Sequence, residues 1–140
     1  MTEKELSASL EDYLEIICNL LETSECVKAV EIARKLNISR ASVSEALSKL
    51  AQRNLIMYES HKGIAITSEG LKKAKEIIEK HKTLTDFFEK TLGLNKDEAE
   101  ENACRVEHVI SDNLFKKIKE FQNYCDNNEE LTKNFMKGLI

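Results

Sequence analysis

The 140-residue chain contains no proline and only four glycines. Residues that interrupt helices or set special turns are scarce, so long helices with short connections are expected rather than a sandwich or barrel. No apolar run approaches the roughly 20 residues needed to span a bilayer. The first residues, Met1 to Ser9, are polar and acidic, unlike the basic and apolar start of a signal peptide. A cytoplasmic protein without a membrane partner is the expectation. The four cysteines, Cys18, Cys26, Cys104 and Cys125, include no C-x-x-C pair and suggest no disulfide framework, so reduced thiols are expected. Internal repeats and low-complexity segments are absent. There is no Gly-rich phosphate loop, nucleophile elbow or HExxH pattern, so neither an enzyme nor a small organic substrate is expected.

What is present is a separation of charge. The composition, 41% hydrophobic and 33% charged, suits a chain that folds in water, and its formal net charge is −4. Within that acidic total, Lys28 to Lys62 holds seven basic residues against three acidic ones. Gly93 to Asp112 holds six acidic residues against two basic ones. A basic block and an acidic block point to two tasks, one of them compatible with nucleic acid.

Apolar spacing places the elements. A first helix opens at Ser9, with Asp12 at capping-box distance, and carries Leu10, Tyr13, Leu14, Ile17, Leu20 and Leu21. Val27 to Leu36 reads as a short helix broken by Asn37. Ser39 caps a third helix that runs to about Arg53, with Val43, Ala46, Leu47 and Leu50 inward. Leu55 to Glu59 and Ile64 to Thr67 flank Ser60-His61-Lys62-Gly63 as a β-hairpin. Ser68-Glu69-Gly70 starts a long helix that Gly93 closes. Further helices are expected over Asp97 to Ile110 and from Ser111. Asn123 to Glu130 reads as a linker and Leu131 to Ile140 as a last short helix. The fold class expected is mainly α: an N-terminal winged helix-turn-helix with a two-stranded wing (residues 1–70), then an α-helical dimerisation and metal-binding domain (residues 71–140).

In that pattern the third helix is the DNA reader. Ser39, Ser42 and Ser44 allow close approach and can meet phosphate with their hydroxyls. Arg40 can grip phosphate or guanine, and Glu45 can accept from cytosine N4. Lys28, Lys49 and Lys62 add positive charge, and Lys62 and His61 at the hairpin tip can reach an adjacent phosphate or the minor groove. Each of these residues also has an ordinary reading as a cap, turn or solvated charge, and the ordered set is what carries the inference.

The acidic half contains Cys104-Arg105-Val106-Glu107-His108. Cys104 lies three residues before Glu107 and four before His108, which places all three near one face of a helix. Thiolate, carboxylate and imidazole are transition-metal ligands. Asp12 and Glu15 are three apart on the first helix, and His81 sits among apolar neighbours in the long one. Three helices can therefore each lend ligands to one site. Taken singly, Cys104 reads as a small buried hydrophobe, His81 as a core histidine, and Asp12 and Glu15 as first-turn charges.

Four stretches carry a family resemblance: Leu10-Glu11-Asp12-Tyr13-Leu14-Glu15-Ile16-Ile17, Ile66-Thr67-Ser68-Glu69-Gly70, Lys80-His81, and Glu101 to Asp112 with its Cys-Arg-x-Glu-His core. Together they resemble the diphtheria-toxin-repressor and manganese-transport-regulator family, over about Ser9 to Tyr124. The resemblance implies a homodimeric repressor of metal-uptake genes, bound to palindromic double-stranded DNA, with a divalent cation as co-repressor. It implies Asp12, Glu15, His81, Cys104, Glu107 and His108 as the metal ligands. Asp12 and Glu15 resemble the manganese branch, which has Glu at the position of Cys104. Cys104 resembles the iron branch, which has Met at the position of Asp12. The SH3-like third domain of longer iron regulators is not expected here, which resembles the manganese regulators. The ancillary site of the iron branch pairs a His with a Glu four residues on, where this chain has Thr85 after His81.

A thiolate favours softer or later ions than Mn(II), so Fe(II) is the expected co-repressor, Mn(II) the next, with Co(II) or Zn(II) also compatible. Dimerisation is expected through apolar residues after Ser68, including Ile77, Leu84, Phe88 and Val109. Rival readings are an Mn(II)-responsive member of the same family, a redox-sensing winged helix using Cys104 or Cys26, a metallohydrolase with Glu107 as base, and a winged helix that binds protein instead of DNA.

Overall fold

The computed structural model describes residues 6–59 and 62–138. These are mainly α-helical and form two compact units, Met1–Ile77 and Ile78–Ile140, whose division falls inside one long helix.

The first unit is the winged helix-turn-helix. Helix α1 (Ala8–Thr23) starts at an extended Ser7, whose Oγ accepts from Leu10 N at 3.3 Å. The cap lies two residues before the expected Ser9, because Ala8 and Ser9 are readily accommodated in the first turn once Ser7 supplies the acceptor. Leu14 and Ile17 are fully buried on its inner face. Helix α2 (Ala29–Leu36) begins later than the expected Val27. Val27 is extended instead, bridged antiparallel to Ile64, and its carbonyl accepts from Ile64 N at 2.8 Å. Asn37 ends α2 in the left-handed region, with φ 54°, a conformation Asn tolerates better than most residues.

Helix α3 (Arg40–Gln52) buries Val43, Ala46, Leu47 and Leu50, the four inward positions expected from spacing. It packs against α1 and α2. Strands β1 (Ile56–Met57) and β2 (Ala65–Ile66) pair antiparallel, Ile56 opposite Ile66 and Met57 opposite Ala65. They are shorter than the expected runs, and the Val27 bridge extends the wing on its other side. Ser60 and His61, named above as hairpin-tip residues, lie outside the described residues.

Thr67 joins the wing to α4 (Ser68–Asp86). Its hydroxyl lies 2.6 Å from Asn54 O and 3.0 Å from Leu55 O as donor, and accepts from Gly70 N at 3.0 Å. It is therefore the N-cap of α4 and a tie to the end of α3 at once. Gly70 is pressed on the same turn: a Cβ there would lie 1.9 Å from Leu55 O. The Thr-Ser-Glu-Gly motif thus fixes where the wing ends and α4 begins.

In the second unit, α4 runs into a π-helical turn (Phe87–Thr91), and Gly93, at φ 81°, makes the bend that follows. Asn95 caps α5 (Lys96–Val106) and Ser111 caps α6 (Asp112–Asp126). The expected linker over Asn123 to Glu130 is not found. Helix α6 continues through Asn123 to Asp126, and α7 (Glu129–Gly138) starts three residues later. Buried Cys125 anchors the end of α6, and Asn128 donates its side-chain N–H to Tyr124 O at 2.9 Å. The Asn- and Glu-rich composition is that of two abutting solvated helix ends. The last two residues of the expected final helix, Leu139 and Ile140, lie outside the described residues. Ile77 and Leu84, expected at a dimer seam, are 2% and 0% exposed within the single chain, so they belong to its own packing.

Candidate metal centre and DNA-binding face

The second unit concentrates ligand groups around one carboxylate. Glu107 is 4% exposed. A buried carboxylate is costly unless partnered, and here imidazoles flank both its oxygens. His81 Nδ1 lies 2.8 Å from Oε2, and His108 Nε2 lies 3.3 Å from Oε1. Cys104 Sγ lies 3.7 Å from His81 Nδ1. Ligand atoms of His81, Cys104 and Glu107 all fall within 4.8 Å of one another.

The local folding that does this is simple. His81 is on α4, with Thr85 four residues on donating its hydroxyl to His81 O at 2.7 Å. That hydroxyl is engaged with the backbone, where the ancillary site of the iron branch has a Glu. Cys104 is in the last turn of α5, while Glu107 is its C-cap, donating its N–H to Ala103 O at 2.9 Å. His108 lies in the turn beyond. The expected single helical face is therefore interrupted: α5 stops at Val106, and the turn buries the Glu107 and His108 side chains while Cys104 remains exposed. Bonds of about 2.0–2.3 Å in a tetrahedral shell place donor atoms about 3.3–3.8 Å apart. The Cys104–His81 separation already matches, and the 2.8 Å His81–Glu107 contact needs to open by about 0.5 Å. One N, one S and one O donor suit a divalent transition ion. Asp12 and Glu15 lie on α1 in the first unit, Asp12 exposed and Glu15 half-buried.

The first unit carries the other face. Ser39 caps α3, its Oγ accepting from Ser42 N at 3.1 Å and lying 2.8 Å from Ser42 Oγ. Its hydroxyl is thus engaged in the cap. Glu45 and Lys49 are exposed and pair with each other at 3.2 Å, so a cytosine contact by Glu45 competes with that pair. Lys28, Arg40, Ser44 and Lys62 come together along one cleft of about 480 Å³, completed by Ala29, Val30 and Tyr58. Sequence reasoning missed Tyr58. The available signal was alternation in a strand, which places Tyr58 opposite the exposed Met57. Burial raises the Cys18 thiol pKa, aided by Glu22 and Glu15 and opposed by Lys75. No described helix is long and apolar enough to cross a membrane.

Comparison with known proteins fits both halves. Residues 5–64 match the N-terminal DNA-binding domain of iron-dependent repressors, and residues 67–135 match their metal-binding and dimerisation domain. The chain is 38% identical over 117 residues to an uncharacterized HTH-type transcriptional regulator of Methanocaldococcus jannaschii, covering 83% of this chain and 94% of that one. It is 30% identical over 131 residues to the HTH-type transcriptional regulator MntR of Oceanobacillus iheyensis, covering 94% and 88%. Among solved structures it resembles the manganese regulator SloR, with TM-score 0.72 and 33% identity over 82% of this chain. It spans 54% of that longer regulator. Matched in both domains and in their order, the chain belongs to the diphtheria-toxin-repressor and manganese-transport-regulator family of metal-dependent transcriptional repressors.

Proposed function

We propose that the chain represses metal-uptake genes as a homodimer on a palindromic operator, with Fe(II) as preferred co-repressor. The ligands would be His81, Cys104 and Glu107, joined by Asp12, Glu15 and His108. The observation that carries this reading is the convergence of an imidazole, a thiol and a buried carboxylate within 4.8 Å. A bound divalent cation supplies the positive charge that lets these groups stay deprotonated and close together.

The chain's own contribution is a mechanical link. Helix α1 packs against α3, and each buries apolar residues, Leu14 and Ile17 on α1 and Leu47 and Leu50 on α3. Fixing Asp12 and Glu15 therefore fixes the reading helix. In a dimer, this would hold two copies of α3 near one turn of duplex apart, about 34 Å. Ligand and DNA then favour the same arrangement, and each tightens the other's binding.

Support for Fe(II) is the thiol of Cys104, a softer donor than Mn(II) prefers. A second reading, Mn(II), draws on the oxygen donors Asp12, Glu15 and Glu107 and on the likeness to a regulator described as a manganese regulator. An anaerobic DNA-binding titration with Fe(II), Mn(II), Zn(II) or no metal decides between them. The double variant Asp12→Ala with Glu107→Ala is expected to lose metal-stimulated DNA binding while remaining a folded dimer by circular dichroism and sedimentation. Retained stimulation would reject this ligand set.

A further inference from the structure

We infer that the cleft between the entrance of α2, the first turn of α3 and the wing seats a phosphodiester segment of duplex DNA. In it Arg40 grips backbone rather than a base, and Tyr58 is a positioning residue for the same phosphate. This rests on the DNA-binding reading and adds a division of labour within it.

The cleft collects cations from three separate elements: Lys28 at the N-cap of α2, Arg40 at the start of α3, and Lys62 in the wing. Among the described residues, no acidic side chain lines it. Among the described residues, neither Lys28 nor Arg40 has a salt-bridge partner. Lys62 pairs with Glu59 at 2.6 Å, and its backbone N–H also donates to Glu59 O. Like charges gathered around a concavity repel, and a bound anion relieves that repulsion. Ser44 and Tyr58 line the same cavity, and a serine or tyrosine hydroxyl can donate to phosphate oxygens.

Shape assigns Arg40. Bases in the major groove are recessed and are read by side chains on a projecting helix face. A cleft does the opposite, admitting what protrudes, and on a duplex the protruding group is the phosphate. Arg40 and Ser44 are four apart and share the stripe of α3 that faces this cleft. The neighbouring exposed stripe, Ala41, Glu45 and Ser48, is left to meet base edges. Tyr58 follows directly on β1, where Met57 is 61% exposed, and lines the cleft.

The test uses the full chain with metal and two duplexes, one enriched by the wild type from a random pool and one with its sequence scrambled. Wild type that binds neither duplex rejects the DNA-binding reading itself. Given wild-type binding, Lys28→Ala, Arg40→Ala and Lys62→Ala should each weaken both duplexes by the same factor. That factor is roughly eightfold per subunit at 0.1 M monovalent salt, with the salt slope reduced by about 0.9 per subunit. Arg40→Lys should recover most of the loss, because charge rather than a guanine-matching fork is what acts. Tyr58→Phe should weaken both duplexes roughly tenfold with the slope and the melting temperature unchanged. Inorganic phosphate at constant ionic strength should leave the isotherms unmoved. A changed ratio between the duplexes in Arg40→Ala overturns the backbone assignment. So do unchanged affinities in Lys62→Ala and Tyr58→Phe, and competition by phosphate makes the cleft a free-anion pocket instead.

Discussion

At the scale of single residues, the four thiols divide by environment. Cys26 and Cys104 are exposed, and Cys18 and Cys125 are buried. Alkylation of the native protein should label the first pair, and the second pair only after denaturation; mass spectrometry of the labelled peptides reads this directly. Burial holds Cys18 in its neutral form, with a pKa above the ordinary thiol value. Its contribution to stability is therefore fully present below the ordinary thiol range and lost as pH rises through the raised value. Thermal melts should fall more steeply at alkaline pH in the wild type than in Cys18→Ala. Cys104 has a different role, as a candidate ligand whose softness biases the choice of ion. Replacing it by an oxygen donor, Cys104→Glu, should shift the ratio of Mn(II) to Fe(II) affinity toward Mn(II) by roughly tenfold or more. Competitive metal titrations with an unchanged ratio would remove the thiol from the site. The candidate donor types, thiol, carboxylate and imidazole, were legible in Cys-Arg-x-Glu-His. The burial of Glu107 between two imidazoles was not, because it depends on α5 stopping at Val106 and the chain turning there.

At the scale of elements, most boundaries follow from local chemistry, and the exceptions are informative. Ser39, Asn95 and Ser111 cap α3, α5 and α6 through their own side chains. Ser39→Ala should cost about 1 kcal/mol in urea denaturation. Gly70 reverses the usual helix rule. In an open helix, Gly→Ala stabilises by about 1 kcal/mol. Here the added Cβ would meet a backbone carbonyl at 1.9 Å, so Gly70→Ala should destabilise by roughly 1–3 kcal/mol or more. A neutral or stabilising result would mean the wing and α4 part easily. Two elements misled sequence reasoning for the same reason. Val27 fits a helical pattern but is drawn into an extended bridge by Ile64, 37 residues on. Asn123 to Glu130 has the composition of a linker but is the abutment of two helices around buried Cys125. Both outcomes depend on a partner distant in sequence or in the neighbouring helix, which local pattern cannot register.

At the scale of the whole molecule, an acidic chain carries a basic cleft in one unit and a metal-ligand cluster in the other. Linkage makes the proposed coupling reciprocal: the factor by which metal tightens DNA binding must equal the factor by which DNA tightens metal binding. Measuring both by calorimetry checks that a single two-state equilibrium serves both sites. The family's second domain is one of dimerisation, and two of the four residues expected at its seam, Ile77 and Leu84, are consumed by packing within one chain. Val109, 81% exposed, is left as a residue available to a second copy. Val109→Glu should weaken self-association by tenfold or more in sedimentation equilibrium, and an unchanged dimer would place the seam elsewhere.

The order of elements, the inward face of α3 and the chemical character of the ligands are properties of short stretches, set by periodicity, caps and side-chain type, so the amino-acid sequence by itself determined them. Which of those side chains meet was decided by tertiary structure alone. Lys28, Arg40, Tyr58 and Lys62 line one cleft, and His81, Cys104 and Glu107 lie within a single ion's reach, because chain segments far apart in sequence pack on common cores. Proximity of that kind follows from burial of apolar faces between elements, a property that no local window of sequence contains.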